Sequence, residues 1–327
     1  MTEKLSAPSV VLSDGRIMPG IGIGTFGSDK YNAEQISAAV KGAVKAGYRL
    51  IDCAEVYGNE REIGRALGEL FRDGTVKRED LFVVSKVWND HHGEGEVKKA
   101  CCNSLDALGL DFLDAYYIHW PFPNYHAPGC DGDSRNPDSK PFSKEEFLSV
   151  YHQCEELYRE GKIRGIGVSN MTVSKLEAVL PECEIPPVLI EMELHPAFRQ
   201  KELRALCKKH GIQPVGFCPL GSPSRPERDR TPEDLAAMEL PHIRKIAAAH
   251  GIHPAGVCLK WAAQSGAVPI PFSVKPAQYE ANLAWLCSDP LTEEEMAEID
   301  ASPADCRLIK GQVFLWEGAS DWREIWT

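Results

Sequence analysis

The run GYRLIDCAEVYGNEREIGRAL, residues 47–67, places Asp52 and Tyr57 just past a short apolar segment, where a strand should give way to a helix. A phenol ionises near pH ~10 and is a poor proton donor at neutral pH unless a cation stabilises its phenolate. Lys86, near the end of LFVVSKV, can be that cation. An ammonium buried in a pocket loses its proton unless an anion holds it, and Asp52 can be that anion. His119, near the end of DAYYIHW, can hydrogen-bond the group that receives the proton. Together, carboxylate, ammonium, phenol and imidazole suit the protonation of a carbonyl oxygen as negative charge develops on it. A hydride from a nicotinamide would supply the missing nucleophile. Each residue taken singly also has a plainer reading: an Asp at a strand end often caps the next helix, and a lone His is more often a satisfied core residue.

These side chains can cooperate only if strand ends bring them to one place. SVVLSDGRIMP reads as a hairpin turning at Asp14-Gly15. Eight β-rich runs follow: IGIGT, YRLID, LFVVSKV, DAYYIHW, IRGIGVSN, PVLIEME, IQPVGFCP and AVPIPFS. Between them lie segments with helical spacing, such as NAEQISAAVKGAVKAG with Ile36, Val40 and Val44 on one stripe, and EEFLSVYHQCEELYREG closed by Gly161. Strands alternating with helices predict a parallel sheet, and this number of strands closes a (β/α)8 TIM barrel. A doubly wound sheet would want GxGxxG after its first strand, which GIGIGTFGSD does not fit well. In a barrel, chemistry gathers at the C-terminal ends of the strands. Asp52, Lys86, His119, Ser169 with Asn170, and Glu191 occupy such ends, and Tyr57 follows Asp52 in its loop.

The chain has 327 residues, 43% of them hydrophobic, which suits one large barrel with a sizeable core. A formal net charge of −12 argues against nucleic acid or an anionic membrane as partner. MTEKLSAPSV lacks the apolar core of a signal peptide and no run reaches the length of a membrane span, so a cytoplasmic location is expected. The eleven cysteines show no CxxC spacing and mostly sit in apolar runs, as Cys53, Cys218 and Cys258 do. They read as packed, reduced thiols, and no metal site is expected.

Gly47-Tyr48-Arg49-Leu50-Ile51-Asp52-Cys53-Ala54, followed by Glu60 and Ile63-Gly64, resembles the first signature of the aldo-keto reductases. SKVW, YYIHWP, GKIRGIGVSN, ELHP and FCPLGSP follow in that family's order, so the resemblance spans nearly the whole chain. It implies a single barrel domain over residues 1–327 with an N-terminal hairpin and long loops at the C-terminal face. It also implies a tetrad of Asp52, Tyr57, Lys86 and His119, with Tyr57 the general acid in reduction, and NADPH or NADH as cofactor. By the same resemblance Gly24 and Thr25 lie beside the cofactor, Ser169 and Asn170 hold the carboxamide, and Phe217 stacks on the nicotinamide. Leu220 and Ser222 fall at the pyrophosphate, and Asn282 at the adenine. Phe26 takes a substrate-pocket position where the family often has Trp.

Two departures stand out. Glu191 replaces the usual Gln at the carboxamide; ionised, it could accept from the amide but not donate to it, and its charge would favour the oxidised cofactor. Phe272 and Gln278 replace the Lys and Arg that grip the 2′-phosphate of NADPH, while Ser273 and Lys275 remain, which makes NADH use plausible. The polar insertion PNYHAPGCDGDSRNPDSKPFS, with Trp88, Trp120 and the C-terminal FLWEGASDWREIW, could close over the site and offer aromatic walls. Alternatively the last tryptophans simply dock the terminus. Expected substrates are aldoses, small aldehydes or hydroxyketones, reduced reversibly by a monomer or weak oligomer. Two other readings stay open: a Schiff-base aldolase through Lys86, and a non-catalytic, cofactor-binding member of the family.

Overall fold

The computed structural model describes residues 7–27, 30–126, 136–221, 225 and 230–327. Strands β1 (Ser9–Val11) and β2 (Ile17–Pro19) form the expected antiparallel hairpin. Its turn is tied by Leu12 N donating to Arg16 O at 2.9 Å, and Gly15 takes a φ of 83°, a left-handed conformation that favours glycine.

The remaining strands are β3 (Gly22–Gly24), β4 (Leu50–Asp52), β5 (Phe82–Val87), β6 (Ala115–Ile118), β7 (Ile166–Ser169), β8 (Leu189–Glu193), β9 (Gln213–Phe217) and β10 (Val268–Pro269). They lie side by side in chain order, every pair parallel. Gly24 N donates to Pro271 O at 3.0 Å, bringing the first strand to the end of the last and drawing the sheet into a barrel. The interior leaves no room for a side chain on β3: a Cβ at Gly22 would come within 2.7 Å of Leu50 and 2.8 Å of Ile270.

Ten helices are found among the described residues: α1 (Ala33–Ala46), α2 (Glu60–Arg72), α3 (Glu96–Leu108), α4 (Lys144–Arg159), α5 (Val173–Val179), α6 (Lys201–His210), α7 (Pro241–His250), α8 (Pro254–Gln264), α9 (Pro276–Leu286) and α10 (Glu293–Asp300). Helix α1 starts in a capping box, Asn32 and Gln35 each accepting from the other's backbone N–H, and buries Ile36, Val40 and Val44 as the spacing predicts. α4 ends just before Gly161, whose φ of 73° stops the helix. The simple alternation is exceeded: α7 precedes α8 between β9 and β10, and α10 follows α9. None of these helices is long and apolar enough to cross a membrane.

Candidate active site

Side chains in a strand alternate between its two faces, so one inward-facing row runs up each barrel strand. Leu50, Phe82, Val84, Ala115, Tyr117, Leu189 and Val215 form the barrel interior, floored by Leu12 and Met18 of the hairpin segment. Two residues beyond the topmost of these on each strand, the same row carries Asp52, Lys86, His119, Glu191 and Phe217. The apolar filling thus gives way, at one level, to a ring of groups that can do chemistry.

Lys86 is the hub. It is fully buried, and its Nζ donates to Asp52 Oδ1 at 2.5 Å and to Cys53 O at 3.0 Å. The same nitrogen lies 3.3 Å from Glu191 Oε2, and 5.3 Å and 5.7 Å from the ring centres of Tyr57 and Tyr117. Burial works against the ammonium, but Asp52 and Glu191 outweigh it and hold Lys86 well above its ordinary pKa. Burial raises the Tyr57 phenol, while the charge of Lys86 and a hydrogen bond from it draw the phenol back down. The net shift is upward, so Tyr57 is protonated near neutrality and faces the cation that would stabilise its phenolate.

The spacing from Asp52 to Tyr57 has a local cause. A short 3-10 turn, Glu55–Tyr57, follows β4 and is closed by Gly58 at a left-handed φ of 65°. His91 Nδ1 lies 3.1 Å from Glu55 Oε2 and braces this turn. Tyr57 then meets His119 with ring centres 5.8 Å apart, and Phe26 at 5.2 Å. Burial pushes the His119 imidazole well below its ordinary pKa, helped by Lys86 and His92, so the ring is neutral at pH 7. Its Nδ1 is buried without a hydrogen-bond partner.

Ser169 and Asn170 end β7 beside Glu191, with Ser169 and Glu191 in register. Asn170 adopts a φ of 56°, uncommon for a residue with a side chain, and is held there by three bonds. Its N donates to Glu191 O at 3.1 Å, and its Nδ2 to His119 O at 2.9 Å and Ser169 Oγ at 3.1 Å. Asn170 Oδ1 is left buried without a hydrogen-bond partner, while Glu191 Oε2 faces Lys86 Nζ. An unmet buried acceptor asks for a donor, and a carboxamide N–H would satisfy it, so these residues fit the nicotinamide end of the implied cofactor. Burial and Asp52 push the Glu191 carboxyl up to about 8, against the pull of Lys86. The upward push works against the ionised Glu191 considered from the sequence and favours the carboxylic acid, which can donate as well as accept.

Phe217 is half-buried at the end of β9, ahead of Cys218 at a φ of 50°. Leu220 is also half-buried, while Ser222 lies outside the described residues. Thr25 is fully buried and its hydroxyl is already committed, donating to Asp52 O at 2.7 Å; Gly24 takes part in barrel closure. In the C-terminal loop Ser273 Oγ donates to Gln278 Oε1 at 2.6 Å and accepts from Lys275 N at 3.0 Å. The Phe272 ring abuts Gly27, where a Cβ would come within 2.3 Å of it. Lys275 and Gln278 are exposed and Asn282 is buried.

The two candidate wall tryptophans separate. Trp88 borders the tetrad, 5.0 Å from the His119 ring. Trp120 instead packs among Phe122, Phe314 and Trp326, at 5.6, 4.6 and 5.5 Å, and supports the C-terminal segment. That segment is anchored by residues the sequence did not single out for the task. Buried Glu193 accepts from Leu308 N at 2.7 Å, Ile309 N at 2.9 Å and His195 Nε2 at 2.9 Å. Burial opposes its charge, but these bonds hold its pKa below the ordinary value. Asn124, in the insertion after β6, donates to Phe314 O at 2.9 Å and Lys140 O at 2.8 Å. Residues 127–135 of that insertion lie outside the described residues. The buried Cys53, Cys101, Cys154, Cys207 and Cys258 are free thiols, and no His/Cys/Asp/Glu cluster among the described residues could hold a metal.

A buried Asp–Lys pair thus stands behind a phenol, with a neutral imidazole beside it. The family model for the aldo/keto reductase family matches residues 20–303. An aldo/keto reductase of Synechocystis is 36% identical over 308 residues, covering 94% of this chain and 92% of that protein. Aldo-keto reductase family 1 member A1 of Gallus gallus is 38% identical over 304 residues, covering 92% and 90%. The crystal structure of a Bombyx mori aldo-keto reductase in complex with NADP is similar with a TM-score of 0.79 and 30% identity, covering 90% of this chain and 92% of that one. The chain belongs to the aldo/keto reductase family, NAD(P)H-dependent oxidoreductases acting on carbonyl groups.

Proposed function

We propose that this protein reduces an aldehyde or ketone to the alcohol, reversibly, with aldoses, small aldehydes and hydroxyketones as its substrate class and Tyr57 as proton donor. The observation that carries the reading is Lys86: buried, locked to Asp52 at 2.5 Å, and in contact with the Tyr57 phenol. A phenol backed by a fixed cation gives up its proton as the carbonyl oxygen gains charge, because the phenolate left behind is paired at once. Neutral His119 can hydrogen-bond and orient that oxygen without adding a second cation. When bound, the reduced nicotinamide supplies the hydride. Ser169, Asn170 and Glu191 would hold its carboxamide, Phe217 its ring face, Leu220 and Ser222 the pyrophosphate, and Ser273, Lys275, Gln278 and Asn282 the adenosine end. Phe26 and Trp88, on either side of Tyr57 and His119, would contact the substrate, with Trp120 behind them.

The Schiff-base reading fits poorly, because an attacking lysine must be neutral and Lys86 is held charged by the Asp52 carboxylate. The test is oxidation of NADPH and of NADH, separately, with glyceraldehyde, xylose, aromatic aldehydes and ketosteroids, in the native protein and in Tyr57→Phe. Turnover that disappears in Tyr57→Phe is expected. Turnover that survives it, or covalent mass gained on borohydride trapping, would overturn the proposal.

A further inference from the structure

The barrel mouth holds one more carboxyl than its chemistry requires. Lys86 Nζ stands between Asp52 Oδ1 at 2.5 Å and Glu191 Oε2 at 3.3 Å, and the three side chains are at most 4% exposed. The other groups facing Glu191 are the Tyr57 phenol beyond β4 and the Tyr117 phenol of β6; its register neighbours are Ser169 on β7 and Val215 on β9. These positions bring no second cation. Two carboxylates around one buried ammonium would leave a net negative charge out of water, which is costly, so one of them retains a proton. Asp52 has the shorter contact with Lys86 and Glu191 the longer one. The proton belongs on Glu191, and the upward push on that carboxyl agrees.

We propose that Glu191 is a proton store for the reaction, holding a proton opposite the uncharged reduced nicotinamide and releasing it through Lys86 to Tyr57 once the nicotinamide becomes a cation. This rests on the carbonyl-reductase reading and adds a residue to it. The steps balance. Hydride and its electron pair pass to the carbonyl carbon, and Tyr57 gives its proton to the carbonyl oxygen, forming the alcohol and a phenolate. Lys86 gives a proton to the phenolate and takes the one on Glu191, ending as it began. Glu191 is left as a carboxylate beside the oxidised cofactor, and the tetrad is ready again before any proton has come from solvent. When the oxidised cofactor leaves, Glu191 takes a proton from water. A Gln at this position could hold the carboxamide but could store no proton.

The test is isothermal titration calorimetry of the native protein at pH 6.5 with NADP+ and with NADPH, each in two buffers of different ionisation enthalpy. Both forms carry the same 2′-phosphate, so the difference between them isolates the charge on the nicotinamide. The expected result is close to one more proton released with NADP+ than with NADPH, in the native protein and in Tyr57→Phe, and none in Glu191→Gln. NADP+ affinity should rise with pH by up to about tenfold per unit below pH 8 in the native protein, and stay flat in Glu191→Gln. If Glu191→Gln fails to fold, infrared difference spectra of the native protein decide: NADP+ should bleach the carbonyl band of a protonated carboxyl. Equal proton release with both cofactor forms, release unchanged in Glu191→Gln, or no bleached band would overturn the store while leaving the reductase reading in place. Failure of any nicotinamide cofactor to bind would overturn both.

Discussion

Replacing Asp52 by Asn and Glu191 by Gln, singly and together, probes how Lys86 is held. The two carboxyls approach one ammonium at 2.5 and 3.3 Å, so each is the other's substitute. In Asp52→Asn, Glu191 can ionise and take over, exchanging a charged acceptor for a neutral one at a cost of about 1–2 kcal/mol. In Glu191→Gln, Lys86 keeps its shorter partner and the cost should stay under ~1 kcal/mol. The double variant leaves a buried ammonium with no anion, a loss of about 3–5 kcal/mol when a buried pair is broken from one side. At the middle of these ranges a coupling of about 2 kcal/mol should remain after the single effects are subtracted. Urea unfolding at pH 7 without cofactor, followed by tryptophan fluorescence and checked for reversibility, measures all four proteins. Additivity within ~0.5 kcal/mol would refute the shared-ammonium arrangement.

Other perturbations test separate parts of the structure. Glu193→Ala should orphan the Leu308 and Ile309 N–H groups, at about 1–3 kcal/mol each where they stay buried, and hasten proteolytic cleavage beyond residue 300. Phe272→Lys with Gln278→Arg should raise the kcat/KM ratio of NADPH over NADH by about tenfold or more, since one charge-assisted hydrogen bond is worth ~1.5–3 kcal/mol; an unchanged ratio would show that this loop does not read the 2′-phosphate. Glu191 is raised from 4.5 to about 8, so between those values the folded state binds more protons than the unfolded state. Its contribution to stability is therefore lost as pH rises through that window, at no more than ~1.4 kcal/mol per unit. Comparing the pH dependence of unfolding in the native protein and Glu191→Gln should show the flatter slope in the variant, with other groups cancelling.

The barrel was legible in the sequence because its strands are short, apolar and bounded and alternate with helical spacing, and because Asp52, Lys86 and His119 fall at or beside the ends of three of those runs. Tyr57 was legible through its fixed spacing from Asp52, which the 3-10 turn and Gly58 explain. Pairings between distant residues were not. Nothing local says that Glu191 lies 3.3 Å from Lys86, or that this contact changes which form of the carboxyl is present. Glu193 shares the inward row of Glu191, yet it straps the C-terminal segment, a role visible only once Leu308 and Ile309 are placed. Trp120 follows His119 directly, yet it packs into the aromatic cluster behind the pocket, which only its contacts with Phe122, Phe314 and Trp326 disclose. The hydroxyls of Thr25 and Ser273 are engaged within the protein, which residue type alone does not disclose.

The most direct measurement is stopped-flow oxidation of bound NADPH, or NADH where that cofactor binds better, by a saturating aldehyde in the native protein and in Tyr57→Phe, with cofactor affinity measured alongside by fluorescence quenching. Tyr57 as proton donor predicts a hydride step slowed by about 10²–10⁴-fold with cofactor affinity nearly unchanged, the range for loss of a positioned acid. A hydride step of native rate in Tyr57→Phe, or a loss traced wholly to weaker cofactor binding, would contradict it.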